Sequence, residues 1–417
     1  LSNGTRPNPA SAFRMYVIAS LFTAAAALAS FDLPLLNSLV KQMEPLGSLR
    51  RVPFLRAFEL QIRSLRDVWL AKFESADRSS QEVLRDLPHV RLVPEETIKL
   101  ARGGALFVRA LSNLMDQASL EALEHIGALE HLGVKTWRLG ATQLRMIHHA
   151  LRGEEALAQE MHAAAEEMLV ETGAAWQMEV WVPPTLTYAY SQVRDVIGIK
   201  RTIEQVARLE AAGLPYGRVA DWARSEYCRE RRELSLALEA NERARAAGTE
   251  VDMVYSPILA CRADILLAMG DMEGARTSAL QCLTVLRQPG RRRLGLIARA
   301  SRTLALVEAR TGKVDDALGR LEQLIDEAGF TQNPVVVGGL HETAARVAIL
   351  GGDPARYVYH CQRTESWYRP TRNPVLIGRY ERLVDSGQAL QKTSYSQRSL
   401  WEERVTQHAV TEVDGTL

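Results

Sequence analysis

The sequence predicts an all-α fold, a right-handed α-solenoid of about nine helix–turn–helix hairpins. Three observations carry that expectation. No stretch alternates apolar and polar residues as a strand does, whereas apolar residues recur at helical spacing through most of the chain. Two stretches, 258–290 and 291–326, overlay on one another: Ala263, Gly270 and Ala275 hold the same relative places as Ala305, Gly312 and Ala317. A self-match at such an offset marks a stacked repeat. Finally, aromatics are only 6% of a chain that is 47% hydrophobic, and alanine and leucine fill the gap, which suits close helix-on-helix packing.

In chain order, residues 1–12 (LSNGTRPNPASA) are rich in Pro, Asn, Gly and Ser and read as a linker or a cut end. The N-terminal hairpins then occupy 13–132. Segments 13–30 and 34–43 make the first pair, and 53–73 with 79–87 the second, with Pro53 in a first turn and Ser79-Ser80 as a cap. Pro94-Glu95-Glu96 opens the third pair, its acids favourable at a helix N-terminus. A regular array follows over 133–385. Its first pair, 135–151 and 154–171, turns at Arg152-Gly153. The next starts at Pro183-Pro184 and turns near Ile197-Gly198; another spans 218–245. The two overlaid hairpins come next, then one that turns at Gly351-Gly352-Asp353-Pro354, and a capping helix from Asn373-Pro374. Residues 386–417 are polar without sustained periodicity and read as a flexible tail.

The repeat has a physical ruler. A small residue lets the partner helix cross closely, a glycine seven positions on ends the first helix, and a small anchor twelve positions on lets the next hairpin stack. Ala345, Gly352 and Tyr357 follow it at two of three positions, and Ser191, Gly198 and Ile203 keep the small residue and the glycine. Small-residue pairs around a Gly-Asp turn, over 263–282, 305–324 and 345–361, resemble tetratricopeptide repeats, in a degenerate form lacking most of the family's tryptophans and closing prolines. The drifting array, its Arg-Leu-rich helices and the phrase Gln42-Met43-Glu44-Pro45-Leu46 resemble the C-terminal arms of bacterial, myxobacterial-type Ser/Thr kinase–NTPase signalling proteins. That resemblance implies a protein- or ligand-binding sensor arm without chemistry of its own. The alternative is a stand-alone scaffold.

Motifs for catalysis are missing. Gly312-Lys313 has Val307 and Val314 where a P-loop needs glycine and Ser/Thr, and no kinase loop or GxSxG elbow occurs. The expectation is therefore no enzyme and no cofactor. His148-His149 and His162 are candidates to meet across the Gly153 turn, but no HExxH accompanies them, so no metal site is expected. Net charge is +1, and the basic clusters (Arg50-Arg51, Arg229 with Arg231-Arg232, Arg291-Arg292-Arg293) read as solvated loop arginines, with no nucleic acid expected. The four cysteines, none in a CxxC pair, read as reduced packing residues of a cytoplasmic protein. Segment 15–31 (MYVIASLFTAAAALASF) reads as a packed helix, with no membrane contact expected; as a signal segment it would imply export.

A concentration of rings remains: Trp176, Trp181, Tyr188, Tyr190, Tyr216, Trp222 and Tyr227. Solenoid first helices line the concave surface. Trp181, Tyr188, Tyr190, Arg194, Trp222 and Tyr227 are accordingly the candidate anchors for a protein or peptide partner in the groove. The competing reading is that these rings fill gaps in the packing.

Overall fold

Hairpin follows hairpin along the chain. The computed structural model describes residues 33–47, 53–91, 93–117, 119–172, 181–248 and 252–388, and among these no residue is in a strand. The first helix among the described residues is Leu33–Gly47 (α1). Pro53–Trp69 (α2) pairs with Phe73–Asp86 (α3), Glu95–Met115 (α4) with Ser119–Glu130 (α5), and Lys135–Arg152 (α6) with Glu155–Thr172 (α7). Val182–Val193 (α8) pairs with Val196–Ala211 (α9), Gly217–Glu230 (α10) with Leu234–Ala246 (α11), and Tyr255–Met269 (α12) with Met272–Leu286 (α13). Leu294–Arg310 (α14) and Val314–Ala328 (α15) are followed by Pro334–Gly351 (α16) with Pro354–Tyr368 (α17), and 374–388 is helical (α18). Among the described residues no helix is long and apolar enough to cross a membrane. Segment 15–31, Trp176 and most of the predicted tail lie outside the described residues.

The turn shared by these hairpins has a single backbone design. Gly270, Gly312 and Gly352 are left-handed, with φ of 89°, 87° and 68°. Each closes its first helix with paired bonds of the Schellman type, such as Gly270 N–H to Leu267 O and Asp271 N–H to Leu266 O. The aspartate that follows then caps the second helix: Asp271 accepts from the Gly274 N–H and Asp353 from those of Ala355 and Arg356. The residue that ends one helix and the residue that starts the next are thus neighbours, which makes the hairpin tight.

Left-handed backbone also occurs where glycine is absent. Ala71, Gln117, Arg194 and Arg232 have φ of 54°, 68°, 69° and 65°. Taking each as the turn position, the ruler reads Ser64/Ala71/Ala76, Ala110/Gln117/Ala122, Thr187/Arg194/Ile199 and Ser225/Arg232/Ala237, and all eight flanking residues are fully buried. Met146/Gly153/Ala158 completes the series. This corrects two sequence readings. The fifth hairpin turns at Arg194-Asp195, and Gly198 sits inside α9, its N–H donating to the Asp195 cap at 2.9 Å. The second hairpin turns at 70–72, so Ser79 and Ser80 lie buried in mid-helix rather than at a cap.

Two compact units divide the chain, Leu1–Ala300 and Ser301–Leu417, the division falling inside α14. In the first unit, successive first helices touch: α2 with α4, α4 with α6, α6 with α8, α8 with α10, and α10 with α12. A second helix makes its main contacts with its own first helix and the next one, as α3 does with α2 and α4. First helices are therefore the inner layer of this unit. Their burial agrees, since every described side chain of α8 except Tyr190 is buried.

Candidate functional site

Polar side chains from α8, α10, α12 and the first part of α14 meet in the first unit. Glu226 on α10 is fully buried. Its two carboxylate oxygens accept from Arg299 of α14, Nη1 at 2.8 Å and Nη2 at 3.0 Å, a bidentate pair. Arg229, one turn along α10, donates to the same carboxylate at 2.9 Å and forms an ion pair with Glu230 at 2.6 Å. Asp264 of α12 accepts from Arg299 Nε at 2.8 Å, and Ser191 of α8 receives Arg299 Nη1 at 3.3 Å. Trp222 Nε1–H donates to Glu226 at 3.2 Å. Burial pushes the Glu226 carboxyl up, but the Arg299 and Arg229 guanidinium groups override it and hold the group below the ordinary glutamate value.

Beside this network, Arg293 at the start of α14 closes the unit over a long stretch of chain. Its guanidinium carbon lies 4.7 Å from the Tyr188 ring centre and 5.5 Å from that of Phe73. Nη1 donates to Met253 O at 2.9 Å and Nη2 approaches the Met115 sulfur at 3.8 Å. Arg292 pairs with Asp116 at 3.4 Å, and the Trp69 and Trp181 rings lie 5.0 Å apart, tilted by 31°. Gly295 makes the fit possible, since a Cβ there would collide with the Tyr188 hydroxyl. Arg229, Arg291 and Arg293 are buried, which corrects the reading of their clusters as solvated loop arginines; only Arg231, Arg232 and Arg292 of the two clusters are exposed.

Exposure divides the six predicted partner anchors. Trp181, Tyr188 and Trp222 are buried at 6%, 1% and 1%, where they pack and position the polar network. Tyr190, Arg194 and Tyr227 reach the surface. Arg194 Nε stands 3.8 Å from Glu230, and Arg231 lies over the Tyr227 ring at 5.5 Å and donates to its hydroxyl at 3.1 Å. These residues sit at the C-terminal ends of α8 and α10, at the edge of the buried network. Glu226, Arg229, Asp264 and Arg299 were not singled out by the sequence as a group, because they meet only when three hairpins stack.

Reactive groups are held inert. Burial pushes the Cys261 and Cys282 thiols up to about 12, far from thiolate at neutral pH. In the second unit, Glu342 accepts from Arg379 at 2.6 Å and from the Tyr368 hydroxyl at 3.0 Å, and the Nδ1 atoms of His341 and His360 are 2.9 Å apart. Burial and mutual proximity hold His341 at about 3; burial and Arg356 hold His360 at about 4, so both are neutral at pH 7. Gly312-Lys313, the one faint phosphate-loop echo, forms the shared hairpin turn, with Lys313 N–H bonded to Glu308 O at 2.9 Å.

His148, His149 and Glu154 gather at the turn between α6 and α7, their ligand-capable atoms all within 4.8 Å of one another. His149 Nδ1 is 2.7 Å from Glu154 Oε2, and Arg152 Nε donates to Oε1 at 2.8 Å. Burial pushes the Glu154 carboxyl up, and these two hydrogen bonds override it to hold the group at about 2. Burial, then His149, lowers His148 to about 4. His162 is elsewhere, paired with Glu166 at 3.4 Å.

No protein-family model matches the sequence. No curated protein matches it either. Solved structures do. A Rap protein complexed with Competence and Sporulation Factor superposes with a TM-score of 0.53 at 12% identity, covering 81% of this chain and 99% of that one. NprR in complex with its cognate peptide NprX gives a TM-score of 0.49 at 13% identity over 81% of this chain and 98% of that one. At these identities the first likeness speaks for the fold: a tetratricopeptide-like helical-repeat array.

Proposed function

We propose that this chain is a partner-binding arm of a bacterial signalling protein, which captures a protein or peptide and has no chemistry of its own. The observation that carries the reading is the charged network spanning α8, α10, α12 and α14, with a half-buried edge at Arg194, Tyr227 and Glu230 that reaches solvent at Arg231. A buried array of this kind couples four hairpins, and this polar-aromatic edge offers a partner both stacking and charge-assisted contacts. The Rap structure supports the reading as an example of the fold holding a bound factor. A Ser/Thr kinase or NTPase domain encoded in frame before this stretch would support the kinase-linked arm. A frame without one would favour a stand-alone scaffold.

The test separates surface from core. Arg194→Ala with Tyr227→Ala is expected to abolish partner capture from native lysate while the melting temperature stays near wild type, since both side chains reach solvent. Tyr188→Ala with Trp222→Ala is expected to lower the melting temperature sharply, because each truncation of a buried ring costs about 3–5 kcal/mol. Undiminished capture by the first variant would sink the proposed site.

A further inference from the structure

We propose that His148, His149 and Glu154 form a binding site for a divalent transition-metal ion, zinc above all, at the turn joining α6 to α7. The backbone assembles it. Gly153 is left-handed at φ 72°, and the Glu154 N–H bonds to His149 O at 2.9 Å, so the fourth residue before the turn and the first after it are held side by side. Other hairpins use the same geometry for Leu266 with Asp271 or Ala348 with Asp353. Here alone among these three, both places carry metal-binding side chains, with a third from the adjacent His148.

Chemistry and geometry agree. Two imidazoles and one carboxylate are a common zinc donor set, which leaves a fourth position for water. A tetrahedral ion with ligands at about 2.0–2.2 Å needs donor atoms about 3.4 Å apart. The three present atoms lie within 4.8 Å, so side-chain rotation closes the difference. His148 is 5% exposed and anchors the site from inside, while His149 and Glu154, with side chains 19% and 24% exposed, admit the ion from solvent. The C-terminal carbonyl end of α6 favours a cation at this place. Arg152 occupies that role at present through Glu154 Oε1, and it is the competitor the metal displaces.

Zinc titrated into the full 417-residue chain against a chromophoric chelator is expected to reveal one saturable equivalent. His149→Ala and Glu154→Gln are each expected to lose it, and Arg152→Ala to tighten it several-fold by removing the competing cation. Cobalt(II) in the same site should show tetrahedral ligand-field bands without thiolate-to-cobalt charge transfer, which separates it from the four cysteines. Absence of a saturable equivalent overturns the assignment. So does binding that persists in both ligand variants, or a thiolate band. Should a ligand variant fail to fold, Arg152→Ala decides: unchanged affinity there also overturns it.

Discussion

Glu226 shows how much one side chain can hold. Two buried arginines, Arg299 and Arg229, share its carboxylate, each with a further acidic partner in Asp264 or Glu230. Glu226→Gln keeps the shape and removes one buried negative charge shared by two guanidinium groups, which retain only Asp264 and Glu230, so a loss of about 3 kcal/mol at pH 7 is expected in denaturant unfolding. The pH dependence has a definite sign. The folded-state pKa lies below the unfolded one, so the stabilisation is complete above the ordinary glutamate value and is lost as pH falls through the folded-state value. The stability gap between wild type and Glu226→Gln should therefore narrow on acidification. A gap that stays constant down to strongly acid pH would assign the loss to packing instead.

At the scale of the element, the hairpin turn is the unit of construction, and its left-handed residue is the point of strain. Glycine adopts that conformation freely, while other residues pay about 1–2 kcal/mol. Gly270→Ala is accordingly expected to destabilise by about 1 kcal/mol, and Arg232→Gly to be neutral or slightly stabilising, the relief being partly offset by the flexibility of an unfolded glycine. Melting temperatures of the two variants check this, and equal losses in both would contradict the turn assignment. Much of this element was legible in the sequence. Ala263, Ala275, Ala305, Ala317 and Ala345 are buried and Gly270, Gly312 and Gly352 turn as the spacing implied. The turns at Ala71, Arg194 and Arg232 were not, because tertiary packing of the flanking small residues imposes a left-handed backbone that the local residue does not prefer. Gly198 was therefore mistaken for a turn when Arg194 was the residue in that conformation.

Across the molecule, the first unit is tied together by contacts between distant parts of the chain. Phe73, Met115 and Asp116 meet Arg292 and Arg293, while Trp69 meets Trp181. A chain beginning at residue 133 would lose these partners and leave Arg293 with one aromatic face and one carbonyl. We expect that shortened chain to melt well below the full one and to exchange amide protons faster at the start of α14. Equal melting temperatures would mean that residues 13–132 are a detachable domain. The sequence by itself determined the helical class, the repeat and the anchor residues wherever glycine marks the turn, since these follow from periodicities within one or two helices. Only the tertiary structure decided which arginines are buried, which aromatic side chains remain reachable, and that Glu154 rather than His162 joins His148 and His149. Those outcomes depend on which helices stack and how each turn aims its neighbours, and no periodicity along a single segment records that.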